Sequence, residues 1–244
     1  MLDRRAVDLA FAAAWPAVET AELGEWTLRA SAGVTRRGNS ALALGAAPAL
    51  DEIADWYRAR DLAPRVQVVP SSPLGLAASL VREGWAVADG ACLILAAPCG
   101  MSLRDESELA VSAGGEPTEE WVDIWWTVSP RGGESERRVA ETILARIPMP
   151  RRFGLARNAD GSAVACMLGV LVGGLLVIES SATLPEARRR GACRALTTDL
   201  LTWGVARGAT RAVLSVERTN VHGLAVWQRL GFTELGRVDY LTLT

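Results

Sequence analysis

The stretch best suited to chemistry is residues 185–201, PEARRRGACRALTTDLL, where three consecutive arginines precede a glycine. The pattern after that glycine is typical of a helix, so Gly191 would open the helix at the end of a turn. Backbone N–H groups in the first turn of a helix have no partner within it, and the helix dipole is positive there. A glycine lets a ligand approach the backbone closely, and arginines add charge. The loop therefore predicts a pyrophosphate-binding site.

Two common kinds of pyrophosphate site do not fit this sequence. A Walker loop requires GxxxxGK[ST], but the chain contains no lysine, and all 26 of its basic residues are arginine. A dinucleotide-binding fold requires GxGxxG after an early strand, and that spacing is also absent.

The elements that must position the loop follow from hydrophobic periodicity. A strand leads into the loop, and the helix after it has Ala192, Leu196, Leu200 and Trp203 on one face, with Gly208 as its stop. The helices predicted for this part of the chain are 121–129, 135–147, 192–207 and 221–230. The predicted strands are 153–157, 164–172, 175–184, 211–217 and 233–243. Strands interleaved with helices place the chain in the α/β or α+β class, with a mixed central sheet flanked by helices.

Length and composition describe a globular protein. Half of the 244 residues are hydrophobic, and the net charge of −2 does not favour binding to nucleic acid or to a membrane surface. The longest apolar run, 163–178, is shorter than the ~20 residues that a spanning helix needs. Gly173 and Gly174 within it predict a hairpin turn between two buried strands. Asp8 interrupts the apolar N-terminal segment, which reads as an amphipathic helix rather than a signal peptide. We therefore expect a soluble, cytoplasmic protein.

The four cysteines are scattered along the chain without a CxxC pair. They are Cys92, Cys99, Cys166 and Cys193. This spacing indicates neither a metal site nor a disulfide framework, so free thiols in a reducing compartment are expected.

The two halves of the chain end alike. Residues 80–95 and 227–243 both show the end of a helix, Arg-x-Gly-aromatic, a predicted polar hairpin and an alternating last strand. The shared pattern, centred on Gly84 and Gly231, indicates a tandem repeat of one fold. We place the domain boundary in the polar break near 98–106, which gives domains 1–100 and 101–244. A second loop is predicted at 112–120.

The arginine-rich loop resembles motif A of the GCN5-related N-acetyltransferases, Q/R-x-x-G-x-G/A, with Arg188, Gly191 and Cys193 at its three positions. The downstream segment VERTNVHGLAVWQRLGF resembles motif B, an asparagine followed by a helix that ends in Leu-Gly-Phe. Together the two motifs cover about residues 178–232 in the right order. The alternative is an arginine-rich, solvated loop before an ordinary helix.

The first half resembles the degenerate N-terminal half of tandem actinobacterial proteins of this superfamily. The resemblance lies in AWPAVET, WTLRASAGVTRRGNSALALG and WYRARDLAPRVQV. This half has no motif A, so no cofactor is expected there. The resemblance implies that it packs against the second half and forms one wall of the acceptor site.

The resemblance also implies a site for acetyl-CoA or another acyl-CoA in the second half. Backbone amides of the loop would bind the pyrophosphate, strand residues would pair with the pantetheine arm, and Asn220 would contact the cofactor or the splayed strand edge. The residues so assigned are Ala182, Thr183, Leu184, Arg189, Arg190, Gly191, Ala192, Cys193, Arg194, Asn220 and Trp227.

Glu179 is the candidate general base. Transfer of an acyl group to an amine needs the neutral amine, and deprotonating an alkyl amine at pH 7 costs about 4 kcal/mol. Glu179 lies on the strand that leads into the loop, where its side chain should share a face with Ser181 and Thr183. Aminoglycoside 6′-acetyltransferases of this superfamily are similar, with an acidic residue at the corresponding strand position. The alternative is a carboxylate that binds substrate or caps the end of the strand.

The acid for the departing thiolate does not follow the usual pattern of the superfamily. Members of the superfamily often have a tyrosine seven residues after the motif B asparagine, where this chain has Trp227. An indole N–H donates a hydrogen bond but supplies no proton. A thiol of pKa ~8.5 leaves as thiolate at a penalty near 2 kcal/mol at pH 7, which is tolerable. Tyr240 is the candidate substitute, and the alternative for it is a core aromatic.

Cys193 and His222 are further candidates for chemistry. A thiol at a helix N-terminus tends to have a lowered pKa, so Cys193 is either a nucleophile that forms an acyl-enzyme intermediate or a small packing residue. His222, the only histidine, falls in the first turn of the motif B helix. It is expected at the surface, with a catalytic role as the alternative.

Two clusters have open roles. Asp123 with Trp121, Trp125 and Trp126 falls where the superfamily places helices that often line the acceptor site, but the tryptophan spacing is more typical of core. A second cluster, on a predicted hairpin of the first half, either binds an anionic acceptor or faces solvent. Its members are Arg36, Arg37, Asn39 and Ser40.

The function these patterns indicate is transfer of an acetyl group from acetyl-CoA to a primary amine of a small molecule, by direct attack in a ternary complex. One alternative is acetylation of an antibiotic for self-protection, and another is a CoA-binding sensor or scaffold that has lost catalysis. Protein amines remain possible acceptors. We expect a monomer or homodimer.

Overall fold

The computed structural model describes residues 2–103 and 107–243 of the chain. The helices in these residues are α1 (Arg4–Ala14), α2 (Leu50–Arg58), α3 (Leu76–Arg82), α4 (Glu119–Val128), α5 (Glu134–Ala145), α6 (Ala192–Val205) and α7 (Val221–Arg229). The strands are β1 (Glu19–Leu23), β2 (Trp26–Ala30), β3 (Ala41–Ala43), β4 (Arg65–Val68), β5 (Ala86–Pro98), β6 (Ala110–Gly114), β7 (Arg151–Arg157), β8 (Ala163–Val172), β9 (Leu175–Thr183), β10 (Arg211–Glu217) and β11 (Thr233–Thr242).

Helices α1 and α4 each begin directly after a residue whose side chain accepts one of their first N–H groups. Thr118 Oγ1 accepts from the N–H of Trp121 at 3.2 Å, so α4 starts at Glu119, two residues before the predicted start. Asp3 caps α1 in the same way through the N–H of Arg5, at 3.0 Å. Among the described residues, none of these helices combines the length and apolar character that crossing a bilayer would require.

The described strands form one mixed sheet, in the order β1-β2-β3-β4-β11-β5-β10-β9-β8-β7-β6. The parallel pairs are β3 with β4 and β9 with β10, and α2 and α6 supply the crossovers between them. After its opening elements, each half has three strands, a helix, a fourth strand, a second helix and a long last strand. The repeat predicted from Gly84 and Gly231 is therefore present, and the mixed α/β class is confirmed.

The two halves exchange their last strands. β5 lies between β10 and β11, where Leu95 is opposite Leu214 on one side and Glu234 on the other. β11 then lies between β5 and β4, where Tyr240 is opposite Gln67. The division into domains 1–100 and 101–244 stays a prediction, and the structure adds that both halves share one sheet.

The polar hairpins predicted at the end of each half are wrong. β5 and β11 each run as a single long strand, and their shared register is irregular between Glu234 and Gly236 and again between Val238 and Tyr240. Gly90, with φ 90°, lies in the second irregularity. These bulges absorb the polar, turn-forming residues that suggested a hairpin.

The loop predicted at 112–120 is shorter in the structure. β6 extends to Gly114 because Ser112 pairs with Leu155 of β7, and α4 begins at Glu119. The connection is therefore residues 115–118. Of the predicted break at 98–106, residues 104–106 lie outside the described residues.

Helices cover both faces of the sheet. Helices α1, α4 and α5 pack on one face in a core cluster that includes Val177 and Leu155. Helices α6 and α7 pack on the opposite face, with Leu176 and Ala156. Adjacent residues of one strand thus serve different cores, as the alternation of side chains in a strand requires.

Candidate functional site

Strands β9 and β10 separate from each other at Glu179. The last pair in their parallel register is Ile178 with Leu214. Beyond it, β10 continues beside β5 as far as Glu217, while β9 stays beside β8 as far as Thr183. This divergence opens a cleft of about 380 Å³, and Glu179 is part of its wall.

A bulge in β9 determines which face Glu179 occupies. Leu168 of β8 is opposite Glu179 and Cys166 is opposite Ala182, so β9 carries an extra residue between them. Ser180, with φ 50°, marks the bulge. Because Leu168 and Cys166 share a face, Glu179 shares a face with Ala182. The predicted common face with Ser181 and Thr183 is therefore wrong, because the bulge reverses the alternation.

Glu179 forms a bidentate ion pair with an arginine of the first half. Arg37 Nη1 donates to Oε1 at 2.7 Å and Nη2 donates to Oε2 at 2.6 Å. The two side chains are only 17% and 9% exposed. Such a pair fixes the plane of the carboxylate, and each oxygen keeps a second lone pair. Glu179 is thus an oriented acceptor in the cleft wall.

Arg37 is itself held by residues of the first half. Its guanidinium lies 5.0 Å from the ring centroid of Trp15, whose Nε1 donates to Thr35 Oγ1 at 3.2 Å. Burial alone would lower the pKa of Arg37, but the charge and hydrogen bonds of Glu179 outweigh it and raise that pKa. Arg37 therefore keeps its positive charge at neutral pH.

The polar cluster predicted in the first half divides into two pairs with different roles. Arg36 and Arg37 line the cleft. Asn39 and Ser40 are buried instead. Asn39 accepts from the N–H groups of residues 31 and 33 and donates to the carbonyls of residues 34 and 35, so it holds the loop together.

The tryptophans of α4 are mainly core residues, as their spacing predicts. Trp121 and Trp125 are buried, and Trp125 also reaches the cleft, with its ring edge-on to Trp15 at 5.7 Å. Asp123 lies on the outer side of α4, where Arg137 donates to it at 2.6 Å. Asp123 is not part of the cleft wall.

The arginine-rich loop has the backbone geometry of an anion site. Arg189 and Gly191 both have left-handed φ, 65° and 87°, and α6 begins directly after them. Left-handed residues in such a turn bring successive N–H groups together in an anion-binding hollow. A Cβ at Gly191 would lie 2.8 Å from the Cβ of Ser107, so glycine is required there. The loop therefore fits a pyrophosphate, and this role for residues 189–194 stays a prediction.

The edge of β9 beyond Ile178 is not paired with β10. Leu184 N–H donates to Val164 O of the neighbouring strand segment, at 2.9 Å. Since N–H groups alternate sides along a strand, the N–H of Thr183 points to the open edge and that of Leu184 does not. Of the predicted pantetheine contacts, Thr183 is thus the best placed donor, while Ala182 is buried beneath.

Cys193 does not have the properties of a nucleophile. Burial raises the pKa of its thiol to about 11, although Ser181 and Thr197 hydrogen bonds act in the opposite direction. The lowered pKa expected at a helix N-terminus is therefore wrong, because desolvation outweighs the dipole. His222 is exposed on the first turn of α7, as predicted.

Asn220 and Trp227 both line the cleft from α7. Asn220 Oδ1 accepts from the N–H of Gly223 at 2.9 Å and so caps the helix, leaving its amide N–H groups for other partners. Trp227 is buried and packs edge-on against Phe232 at 5.2 Å. Their assignment to the cofactor stays a prediction.

Tyr240 lies in the cleft wall and is 5% exposed. Burial raises the pKa of its phenol to about 12. Gln67 Nε2 donates to its oxygen at 3.3 Å. A phenol with a raised pKa gives up its proton less readily, so its predicted role as the acid stays open to test.

Several residues of the cleft were not identified as site candidates in the sequence, among them Trp15, Arg131 and Glu217. Trp15 follows α1, Arg131 lies between α4 and α5, and Glu217 ends β10. Arg131 belongs to no motif, whereas Trp15 lies in AWPAVET and Glu217 lies in VERTNVHGLAVWQRLGF, the segments that carry the resemblance. Glu217 could have been found, because it ends the strand that diverges from the one carrying Glu179.

Comparisons with known proteins agree with this architecture. The profile of the family described as "Probable histone acetyltransferase Rv0428c C-terminal" matches residues 2–241. "Uncharacterized N-acetyltransferase YobR" of Bacillus subtilis is 26% identical over 249 residues, which cover 98% of this chain and 98% of that protein. "Probable histone acetyltransferase Rv0428c" of Mycobacterium tuberculosis is 30% identical over 234 residues, which cover 93% of this chain and 70% of that protein.

A solved structure shows the same fold. A GCN5-related N-acetyltransferase from Kribbella flavida superposes with a TM-score of 0.70 at 21% identity, covering 98% of this chain and 94% of that one. Because the family profile spans nearly the whole chain, the chain belongs to that family of GCN5-related N-acetyltransferases, and it is an acyl-CoA-dependent N-acyltransferase.

Proposed function

We propose that the protein transfers an acetyl group from acetyl-CoA to the primary amine of a small molecule, by direct attack in a ternary complex. The observation that carries this proposal is the cleft between β9 and β10, with Glu179 in its wall and the arginine-rich loop at the end of β9. Walls from both halves enclose the cleft, which favours a small acceptor.

The cofactor half of the proposal rests on the loop and the open strand edge. Backbone N–H groups around Gly191 would hold the pyrophosphate, with Arg189 and Arg190 adding charge. The open edge of β9 at Thr183 would pair with the pantetheine arm. Acetyl-CoA supplies the acyl group, and CoA is the leaving group.

The chemical step follows from the position of Glu179. The amine nitrogen attacks the acyl carbon, the carbon–sulfur bond breaks, and its electron pair leaves on sulfur. The proton lost by the amine passes to a free lone pair of Glu179, directly or through a water molecule. Trp227 supplies no proton, and a thiolate is a tolerable leaving group without one.

Calorimetric titration of acetyl-CoA tests the cofactor site. Arg190→Glu places a negative charge at the loop, so we expect micromolar binding in the wild-type protein and at least tenfold weaker binding in the variant. Arg138→Glu is the matched control, because Arg138 is 73% exposed on α5, where it pairs with Glu134. The control should bind like the wild-type protein.

Turnover distinguishes the proposed function from its alternatives. An amine panel with acetyl-CoA should release CoA faster than buffer does. Binding of acetyl-CoA without release on any amine would contradict the proposal and indicate a sensor or scaffold. Selective turnover of an aminoglycoside would indicate self-protection. Absence of binding in every protein tested would contradict the cofactor site itself.

A further inference from the structure

The charged side chains that line the cleft do not balance. They are Arg36, Arg37, Arg131, Glu179 and Glu217. Each glutamate is already paired with an arginine, Glu179 with Arg37 and Glu217 with Arg36. Within residues 2–103 and 107–243, Arg131 has neither an ion pair nor a hydrogen bond with another side chain or with the backbone. One positive charge of the cleft is left without a partner.

A second arginine lies in the protein interior behind the cleft wall and adds positive charge to the cleft. Arg29 is buried and has no acid partner in the part of the chain that the structure describes, where it donates to Ser40 and to Gln67 Oε1. Burial lowers the pKa of Arg29 to about 10, so it still carries its charge at neutral pH. Arg29 and Asp8 both border a small internal cavity, but Asp8 accepts from the N–H and hydroxyl of Ser71 rather than from Arg29.

Arg131 is placed so that this excess positive charge can bind an anionic ligand in the cleft. Arg131 lies in the short connection between α4 and α5, and it borders the same cleft as Glu179. Arg131 keeps an exposed surface, but desolvation by neighbouring groups lowers its pKa, and repulsion from the positive charges of Arg37 and Arg36 lowers it further against the attraction of Glu179. An anion among them would relieve that repulsion.

We propose that the acceptor amine also carries an anionic group, a carboxylate or a phosphate, which Arg131 binds while the amine meets Glu179. This inference rests on the proposed function and names its class of substrate. A guanidinium matches either anion through paired hydrogen bonds. The same charges repel an acceptor with several positive groups, such as a polyamine or a lysine-rich peptide.

Matched amines test the inference by steady-state kinetics with acetyl-CoA. β-Alanine is compared with β-alaninamide and propylamine, and phosphoethanolamine with ethanolamine. Spermidine, neamine and a lysine-rich peptide represent polycationic acceptors. We expect kcat/KM to be at least about tenfold higher for the anionic member of a pair, and Arg131→Gln to remove that advantage by raising KM. Arg131→Lys should keep part of it, and Arg138→Gln, on the exposed side of α5, should keep all of it.

Direct binding provides a readout that does not depend on turnover. Calorimetric titration of β-alanine and phosphoethanolamine into the protein with CoA should show binding that Arg131→Gln weakens about tenfold. Anion binding without turnover would contradict the proposed function and leave this inference standing. Preference for the neutral or polycationic amines would overturn the inference while the proposed function stands. An anionic preference unchanged in Arg131→Gln would also overturn it.

Discussion

Arg37 and Glu179 are 142 positions apart in the chain, and two hydrogen bonds of 2.7 and 2.6 Å join them across the cleft. The first residue belongs to the half without a cofactor motif, and the second belongs to the half that has one. The carboxylate in the cleft wall is therefore oriented by the half that would be expected only to support it.

Removing Arg37 should affect stability and activity separately. Arg37→Met leaves the Glu179 carboxylate without its partner in a mostly buried place, and we expect the free energy of unfolding to fall by about 3 kcal/mol. Urea unfolding measures this. The double variant Arg37→Met, Glu179→Leu should recover most of the stability but none of the activity. If Arg37→Met and the double variant were both as stable as the wild-type protein, the ion pair would have no structural role.

Glu179→Gln tests the base. The amide keeps the size and the hydrogen-bonding shape of the carboxylate but accepts no proton, so kcat at pH 7 should fall about 100-fold. Acetyl-CoA affinity should change less than twofold, since Glu179 lies outside the arginine-rich loop. Raising the pH should recover part of the rate, because more of the amine is then neutral. An unchanged kcat would assign Glu179 to orientation of Arg37 alone.

Cys193→Ala should leave kcat within about twofold of the wild-type value. The thiol of Cys193 has a pKa raised to about 11 by burial, so little thiolate is present at neutral pH. Intact-mass spectrometry of the wild-type protein with acetyl-CoA alone should show no added acetyl group. If the wild-type protein became acetylated and Cys193→Ala did not, the result would support an acyl-enzyme intermediate at Cys193.

Tyr240→Phe tests whether the hydroxyl of Tyr240 acts as the acid or has only a structural role. The variant loses the hydrogen bond from Gln67, and the free energy of unfolding should fall by about 1 kcal/mol. Because the phenol has a pKa raised to about 12, we expect kcat to stay within about threefold between pH 6 and 9. A loss of 100-fold at every pH, with normal acetyl-CoA binding, would identify Tyr240 as the acid.

Stability should decline at high pH because of two buried tyrosines. Burial raises the pKa of Tyr57 and of Tyr240 to about 12, whereas an unfolded tyrosine loses its proton near pH 10. Their contribution is fully present below pH 10 and is lost as the pH rises toward 12, by up to about 3 kcal/mol for each. Denaturant unfolding between pH 7 and 11.5 measures the decline. Tyr57→Phe should make it shallower, and a slope equal to that of the wild-type protein would contradict the assignment.

Local signals in the sequence predicted the second half well. The strand, loop and helix around Gly191 were placed within two residues at each end, because the hydrophobic period and the glycine act over short distances. The repeat was also predicted, since Gly84 and Gly231 end equivalent helices with the same left-handed turn. Candidate residues on these elements could therefore be named from the sequence.

Relationships between distant residues were not predictable. The bulge at Ser180 changes which face of β9 the following side chains occupy. No residue type near Ser180 predicts its left-handed backbone conformation. Arg37 was found only as one member of a polar cluster, because its partner is set by tertiary packing. Arg131 was missed because an exposed arginine in a glycine-rich connection looks the same as any solvated residue.

The exchange of β5 and β11 has a consequence for the history of the chain. A fragment of residues 101–244 would carry β10 and β11 with one strand missing between them, a gap of about 10 Å with an unpaired edge on each side. Gene duplication can create such a pair of halves, but a later deletion of either half leaves an incomplete sheet. The half without a cofactor motif is thus retained by architecture, because its β5 completes the sheet of the other half.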